Sequence, residues 1–456
     1  RSLLRKRQVG KTVGGGRQDG GDGVREVGRK CWGKSICRKV AFFGEICYNA
    51  REKLTENVMQ NCQELAAGLY YLGGNDRRLA LFESAYPVPR GVSYNAYLLK
   101  DEKTVLFDTV DIAVGDLFFD NLACALGEDK LDYVVVQHME PDHSATFARL
   151  LELYPDVTVI ASQKAAVMLK NYFGYTGKVY LVKEGDTLSI GKRTLTFIGA
   201  PMVHWPEVLF TYVPEEGFLF SADAFGTFGA LAGNVIAEKD VFAAEYLDDA
   251  RRYYFNIVGK YGVQVQSVLK KAAGLKISMV CPLHGPIWKD DFAWYLEKYL
   301  TWSAYKPEDK CVAVFYASVY GHTQNAAEIL ASAIGAEGVR VKVFDVSVTH
   351  PSELLSEAFR CSHAVFASTT YNNGIFVNME NFLNDLKAHN YQNRAYAIVE
   401  NGSWAPQAGS LMDGILAGLK NMRRIGEKTT VLSAVNASSR EALVTLGKQI
   451  AEDVKT

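Results

Sequence analysis

The sequence predicts an α/β protein: two sheets with helices outside them, followed by a doubly wound parallel sheet. Three observations carry that prediction. Short apolar runs divided by turn residues succeed one another from Leu69 onward, the pattern of a meandering sheet. A regular alternation of strand and helix begins at Cys311, which right-handed crossovers turn into a parallel sheet. Between the two, histidines and carboxylates fall at strand ends, where α/β folds place their chemistry.

At 456 residues the chain has room for two to three domains, taking roughly 150 residues for each. The formal net charge is −1, so nothing points to nucleic acid or a membrane surface. No apolar run approaches the roughly 18 residues of a spanning helix. The eight cysteines are scattered without a dense framework, which points to a reducing, cytoplasmic setting.

Residues 1–58 stand apart. They are basic and glycine-rich, as in Gly14-Gly15-Gly16 and Gly20-Gly21-Asp22-Gly23, with few periodic apolar positions. Disorder or loose packing is expected there. Cys31, Cys37 and Cys47 have no histidine beside them, which argues against a zinc site. The chain opens on Arg1, and Met59 precedes the first patterned segment. The extension therefore reads as upstream translated sequence, with Met59 the native start.

From residue 69 the expected strands are Leu69–Leu72, Leu79–Phe82, Ser93–Leu99 and Val105–Asp108, separated by turns such as Gly73-Gly74-Asn75-Asp76. A helix follows over Val114–Leu126, then a strand over Leu131–Val136. Beyond it come strand Val157–Ile160, helix Lys164–Tyr172, strand Val179–Val182, and Thr187–Ile198 with a glycine turn at Gly191.

The stretch Gln137-His138-Met139-Glu140-Pro141-Asp142-His143-Ser144 lies between a buried strand and a helix over Ala145–Leu153, with Ser144 as its expected N-cap. In extended chain alternate residues face one way. His138, Glu140 and Asp142 would then converge on one side and His143 would turn to the other. That set exceeds what one closed tetrahedral ion needs, so two adjacent metal ions are the natural use.

Further candidates arrive singly. His204 lies in Val203-His204-Trp205-Pro206-Glu207, Asp223 in Ser221-Ala222-Asp223-Ala224, and His284 in Pro282-Leu283-His284-Gly285. One such histidine alone is more often an ordinary core or surface residue. Four histidines between Met59 and Lys310, all at strand ends, favour a shared site. The aromatics Trp205, Tyr212, Phe225 and Phe228 read equally as a dry wall for that site or as plain core.

Phe292–Trp302 reads as an aromatic-rich helix, and Lys306-Pro307-Glu308-Asp309-Lys310 as the domain boundary. The last part, 311–456, alternates strands over Val312–Tyr316, Val339–Val346, Ala364–Ala367, Ala395–Val399 and Thr429–Val435 with helices. The first strand leads into Ser318-Val319-Tyr320-Gly321-His322-Thr323, hydroxyls and a glycine just before a helix. Such a loop holds phosphate through backbone N–H groups and the helix dipole. Neither the Gly-x-Gly-x-x-Gly pattern nor a Walker lysine is present.

The set His138-x-Glu140-x-Asp142-His143, with His204, Asp223 and His284, resembles the metallo-β-lactamase superfamily. Its hydrolases usually carry histidine where this chain has Glu140; the glutamate form resembles the flavodiiron proteins, over nearly all of 59–456. The resemblance implies a metallo-β-lactamase-like αββα sandwich over 59–306 and a flavodoxin-like domain over 311–456. It implies two iron ions, one on His138, Glu140 and His204, the other on Asp142, His143 and His284, with Asp223 bridging. Replacing an imidazole by a carboxylate hardens the pocket, which suits iron in higher oxidation states.

By the same resemblance Ser318, Tyr320, Gly321, His322 and Thr323 would cradle the phosphate of FMN. Thr370, Tyr371, Asn372, Asn373 and Gly374, with Asn401, Gly402, Ser403 and Trp404, would flank its ring. The third loop continues Ala405-Pro406-Gln407, where some members carry Gly-Trp-Ser-Gly. The activity implied is reduction of dioxygen to water, nitric oxide to nitrous oxide, or both. Electrons would come from a separate carrier such as rubredoxin, since the chain ends soon after the flavin domain. Head-to-tail homodimers, or dimers of dimers, are the implied assembly. Two other classes remain open at this point: a zinc hydrolase fused to a flavin domain, and a non-catalytic electron carrier or sensor.

Overall fold

Two sheets packed face to face dominate the first part of the computed structural model, which describes residues 62–456. The glycine-rich extension, its three cysteines and Met59 lie outside the described residues. The first sheet runs Gln63–Ala66, Leu69–Tyr71, Tyr97–Lys100, Thr104–Phe107, Tyr133–Val136, Thr158–Ala161, Val179–Leu181. Its early pairs are antiparallel and its last four strands parallel. The second runs Thr187–Ser189, Thr194–Gly199, Leu209–Val213, Phe218–Phe220, Met279–Cys281.

Alternation along these strands sends one set of side chains into the gap between the sheets. Leu69, Tyr97, Phe107, Val135 and Ile160 meet Phe197, Leu209, Phe220 and Met279 there, all buried. Phe107 and Phe220 stack with ring centres 3.8 Å apart. Each such phenyl ring contributes roughly 1.5–3 kcal/mol by leaving water. The opposite faces carry helices, Gly115–Leu126 and Gln163–Phe173 against the first sheet. Gly262–Ala272 and Phe292–Ser303 pair outside the second, with Phe210 and Leu219 beneath them.

Three local expectations change. Ser93–Leu99 is not one strand but two, Val92–Tyr94 and Tyr97–Lys100. The break falls at Asn95, whose backbone N–H donates to Leu283 O at 2.8 Å and whose amide donates to Pro282 O and Gly285 O. The chain leaves the ladder there to brace the His284 loop. Leu79–Phe82 shrinks to Leu81–Phe82, because the Asp76 carboxylate accepts from the N–H groups of Arg78 and Leu79 and holds a turn. The helix expected over Ala145–Leu153 is a single turn, Pro141–Ser144, followed by Phe147–Leu153. Ser144 is inside the turn and does not cap: its hydroxyl donates to Met139 O and Glu140 O at 3.0 Å.

A nearly continuous helical run from Lys239 to Ala272 contains two π-turns, Phe242–Tyr246 and Tyr254–Val258. It carries Arg251, whose guanidinium grips Glu308 just before the final sheet, at 2.5 and 3.1 Å. Burial by itself would raise the Glu308 carboxyl, but the bond and charge of Arg251 bring it down to about 2. Arg360 reaches back to both Asp309 and Asp248.

The final sheet is parallel in the order Val341–Asp345, Asp309–Ala317, Cys361–Tyr371, Ala395–Asn401, with Arg423–Arg424 and Thr429–Val431 beyond. His322–Ala336 and Ala437–Lys455 pack together on one face, Pro351–Arg360 and Val377–Ala388 on the other. Cys311 and Cys361, on neighbouring strands, pair as a disulfide, which runs against the reducing setting expected from their scattered spacing.

Candidate metal centre and phosphate cleft

The apolar run Tyr133–Val136 ends at Gln137, and the turn that follows is set by Asp108. Its carboxylate accepts from Gln137 N at 2.7 Å, His138 N at 3.2 Å and Gln137 Nε2 at 3.0 Å. Asp108 itself sits at φ 56°, a left-handed conformation that Asp tolerates better than most residues. From this turn His138 and Glu140 project inward, both buried.

All seven expected side chains meet, and they fall into two groups: His138, Glu140, His204 and Asp223, then Asp142, His143 and His284. Asp142 therefore does not share a side with His138 and Glu140, as extended alternation would require. The turn Pro141–Ser144 is helical, which rotates Asp142 and His143 together toward His284. His204 leaves the end of Thr194–Gly199, Asp223 that of Phe218–Phe220, and His284 that of Met279–Cys281.

Asp223 stands between the groups. Its Oδ2 lies 3.2 Å from His204 Nε2 and 3.6 Å from His138 Nε2. Its Oδ1 lies 3.1 Å from His143 Nε2 and 3.9 Å from His284 Nε2. Glu140 Oε2 is 3.2 Å from His138 Nε2 and 3.0 Å from His204 Nε2. Donor atoms about 2.1 Å from a metal ion stand roughly 3.0–3.4 Å apart, so these spacings suit two cations. Other observations agree. Both oxygens of Asp142 are buried without a hydrogen-bond partner. His143 Nε2 and His284 Nε2 face each other at 3.0 Å, where two lone pairs need a proton or a cation between them. The donor set of imidazole and carboxylate fits iron.

The electrostatics are those of a cation site. Burial would lower His138, His204 and His284, yet Asp223, Glu140 and Asp142 raise all three, the last two to about 9. Burial would raise Glu140 and Asp223, but the imidazoles hold both well below the usual carboxylate range.

Several residues touching this cluster were not singled out from sequence. Glu207 accepts from His138 Nδ1 at 2.9 Å. Tyr253 is buried with its ring against Phe82, Phe228 and His284, and its hydroxyl has no partner. Glu83 is exposed as a residue, yet withdrawal of its carboxyl from water and then the neighbouring Glu140 raise it to about 8. Glu207 lies within the quoted His204 stretch; the others carry no local signal, because distant turns deliver them. Of the four aromatics, Trp205 packs on the His138 and His204 rings at 5.3 and 6.2 Å. Phe225 and Phe228 pack among other aromatics, and the Tyr212 hydroxyl bonds Lys276 O.

In the rear sheet a cleft of about 630 Å³ opens at the carboxyl ends of the strands. Ser318, Tyr320, His322, Thr323, Thr370, Tyr371, Asn372, Asn373, Asn401, Gly402, Ser403 and Trp404 line it, together with Val319, Thr369 and Ser433. Gly321 is not among the lining residues; it joins Tyr320 to His322 at φ 87°, with its N–H donating to Ser318 Oγ at 3.0 Å. Gly374 does not line the cleft either and pairs with Tyr371. Helix His322–Ala336 begins here with no side-chain cap, so its first N–H groups are free to meet an anion. Tyr320 is 91% and Trp404 80% exposed, large rings beside a cleft and available to a flat ligand. Both features fit the phosphate and ring of FMN.

Fold and site together define a metallo-β-lactamase-like two-metal unit joined to a flavodoxin-like unit. Residues 92–285 match the family described as ODP family beta lactamase, and residues 314–431 match Flavodoxin. A nitric oxide reductase of Moorella thermoacetica is 34% identical over 77% of this chain and 89% of its own. A rubredoxin-oxygen oxidoreductase of Megalodesulfovibrio gigas is 31% identical over 77% and 88%. Among solved structures, rubredoxin oxygen:oxidoreductase from Desulfovibrio gigas superposes with TM-score 0.80 at 29% identity, over 87% of this chain and 99% of that one. The flavodiiron protein of Giardia intestinalis superposes with TM-score 0.78 at 25% identity, over 88% and 99%. The chain belongs to the flavodiiron protein family.

Proposed function

We propose that residues 59–306 form a di-iron domain and 311–456 an FMN domain, with 1–58 an extension. The chain acts as an oxidoreductase that reduces dioxygen to water, nitric oxide to nitrous oxide, or both. His138, Glu140 and His204 would hold one iron, Asp142, His143 and His284 the other, and Asp223 both. Ser318, Tyr320, Gly321, His322 and Thr323 would hold the FMN phosphate; the loops Thr370–Gly374 and Asn401–Trp404 would flank its ring. Bound by these residues, FMN would supply one-electron transfer and the iron pair the reduction of the gas.

The chain's own groups prepare that chemistry. Asp108 fixes the turn that aims His138, and Asn95 braces the loop that aims His284. Trp205 shields two imidazoles from water, and a drier site strengthens each charge interaction within it. The observation carrying the reading is the placement of Asp223, one oxygen toward each histidine pair. Glu140, a carboxylate where the hydrolases have histidine, favours it over a zinc hydrolase.

Electrons would arrive from a small carrier such as rubredoxin, in keeping with the name of the Megalodesulfovibrio gigas relative. A head-to-tail homodimer in the cytoplasm completes the proposal; among the described residues no helix is long and apolar enough to cross a membrane. The test is metal and flavin analysis followed by anaerobic reduction and stopped-flow mixing with each gas. Two irons, one FMN and rapid gas consumption are expected. Zinc with hydrolytic turnover, or reduced protein that consumes neither gas, would overturn the proposal.

A further inference from the structure

We infer that Glu207 is a positioning residue that makes the two metal positions unequal, biasing the one held by His138 toward the more oxidised state. The inference rests on the two-metal reading above. Glu207 lies between strands Thr194–Gly199 and Leu209–Val213, and its side chain is 0% exposed. Its Oε1 accepts from His138 Nδ1 at 2.9 Å and from Met139 N at 3.0 Å. Its Oε2 is buried with no hydrogen-bond partner. The carboxylate is thus a fixed charge directed at one imidazole, and the Met139 N–H keeps it there.

Among the described residues no carboxylate hydrogen-bonds an imidazole of the other position from behind; Asp108 acts on His143 through its charge alone. His284 Nδ1 donates to the carbonyl of Ser93 at 2.8 Å, a neutral acceptor. His143 Nδ1 has no partner. A charged acceptor behind an imidazole makes the metal-facing nitrogen a stronger donor than a carbonyl does. A stronger donor stabilises the higher charge on the metal. The centre that appears symmetric in its inner ligands therefore differs in what stands behind them, and Glu207 is the difference.

The variant is Glu207→Gln, which keeps the shape and an oxygen acceptor but removes the charge. Full-length protein stripped of metal is titrated anaerobically with cobalt(II), read by its visible absorption. Wild type should take two ions per chain. The variant should also take two, one of them bound roughly 10–100-fold more weakly and the other unchanged. In iron-loaded protein, potentiometric titration followed by EPR and Mössbauer spectroscopy should show one iron becoming easier to reduce. Each tenfold fall in the ratio of ferric to ferrous affinity corresponds to about 59 mV for a one-electron couple. Two unchanged steps, two equally weakened steps, or loss of both ions would overturn the assignment. A wild-type chain that takes fewer than two ions sinks the two-metal reading itself, and the assignment with it.

Discussion

Loading metal into this protein should expel about three protons at pH 7. Without metal, the imidazoles of His138, His204 and His284 are held in their charged form, the first well above its ordinary value and the others up to about 9. Burial opposes this, but the carboxylates of Glu140, Asp142 and Asp223 outweigh it. A metal-bound imidazole is neutral at the ligating nitrogen, so each of the three gives up one proton. Glu140 and Asp223 are already ionised and give up none. Calorimetric titration of cobalt(II) into stripped protein, in buffers of different ionisation enthalpy, reads the proton count from the slope. About three is expected at pH 7, with fewer as pH rises through 9. A slope near zero would refute the reasoning, since the cluster would then be neutral before metal arrives. The stability consequence has a definite sign. A histidine raised in the folded state stabilises it fully below the unfolded value near 6.5, and that stabilisation is lost as pH rises through about 9. Stripped protein should therefore melt lower at pH 10 than at pH 7, whereas loaded protein gains metal affinity over the same range.

Two further outcomes follow from the rear half and its junction. Gly321→Ala places a Cβ at φ 87° where it would meet no atom within 4 Å, so the cost is backbone strain alone. About 1–2 kcal/mol should weaken FMN retention roughly 5–30-fold in a fluorescence titration, and unchanged affinity would show that the loop does not hold the phosphate. Glu308 is depressed from 4.5 to about 2, so its stabilisation is present above pH 4.5 and lost as pH falls through 2. Removing the charge in Glu308→Gln should cost roughly 3 kcal/mol at pH 7 in urea unfolding and flatten the acid dependence between those values; an unaltered acid limb would show that Arg251 is neutralised elsewhere.

Legibility followed locality. His138, Glu140, Asp142 and His143 are close in the chain and lie beside a strong strand pattern, so they could be read directly. Their grouping could not be read from alternation, because Pro141 starts a helical turn that swings Asp142 away from Glu140. The rear sheet was readable almost throughout, since parallel strands buried on both faces form unbroken apolar runs such as Val312–Tyr316. The helical run through Tyr253 was not. Residues 251–258 are buried without interruption, so no 3.6-residue stripe marks them. Asp108 and Tyr253 reach the cluster only because separate turns converge, and no spacing in the chain announces that.

The stacked rings of Phe107 and Phe220 weld the two sheets together in a region that contains none of the seven ligand candidates. Those candidates all sit beyond the strand ends, in loops or in the single helical turn Pro141–Ser144. The ligand candidates can therefore change without disturbing the chassis: a substitution at position 140 touches neither stacked ring, and the sandwich beneath keeps its packing. A scaffold with that division of labour invites divergence, and so hydrolytic and reductive descendants can share one skeleton.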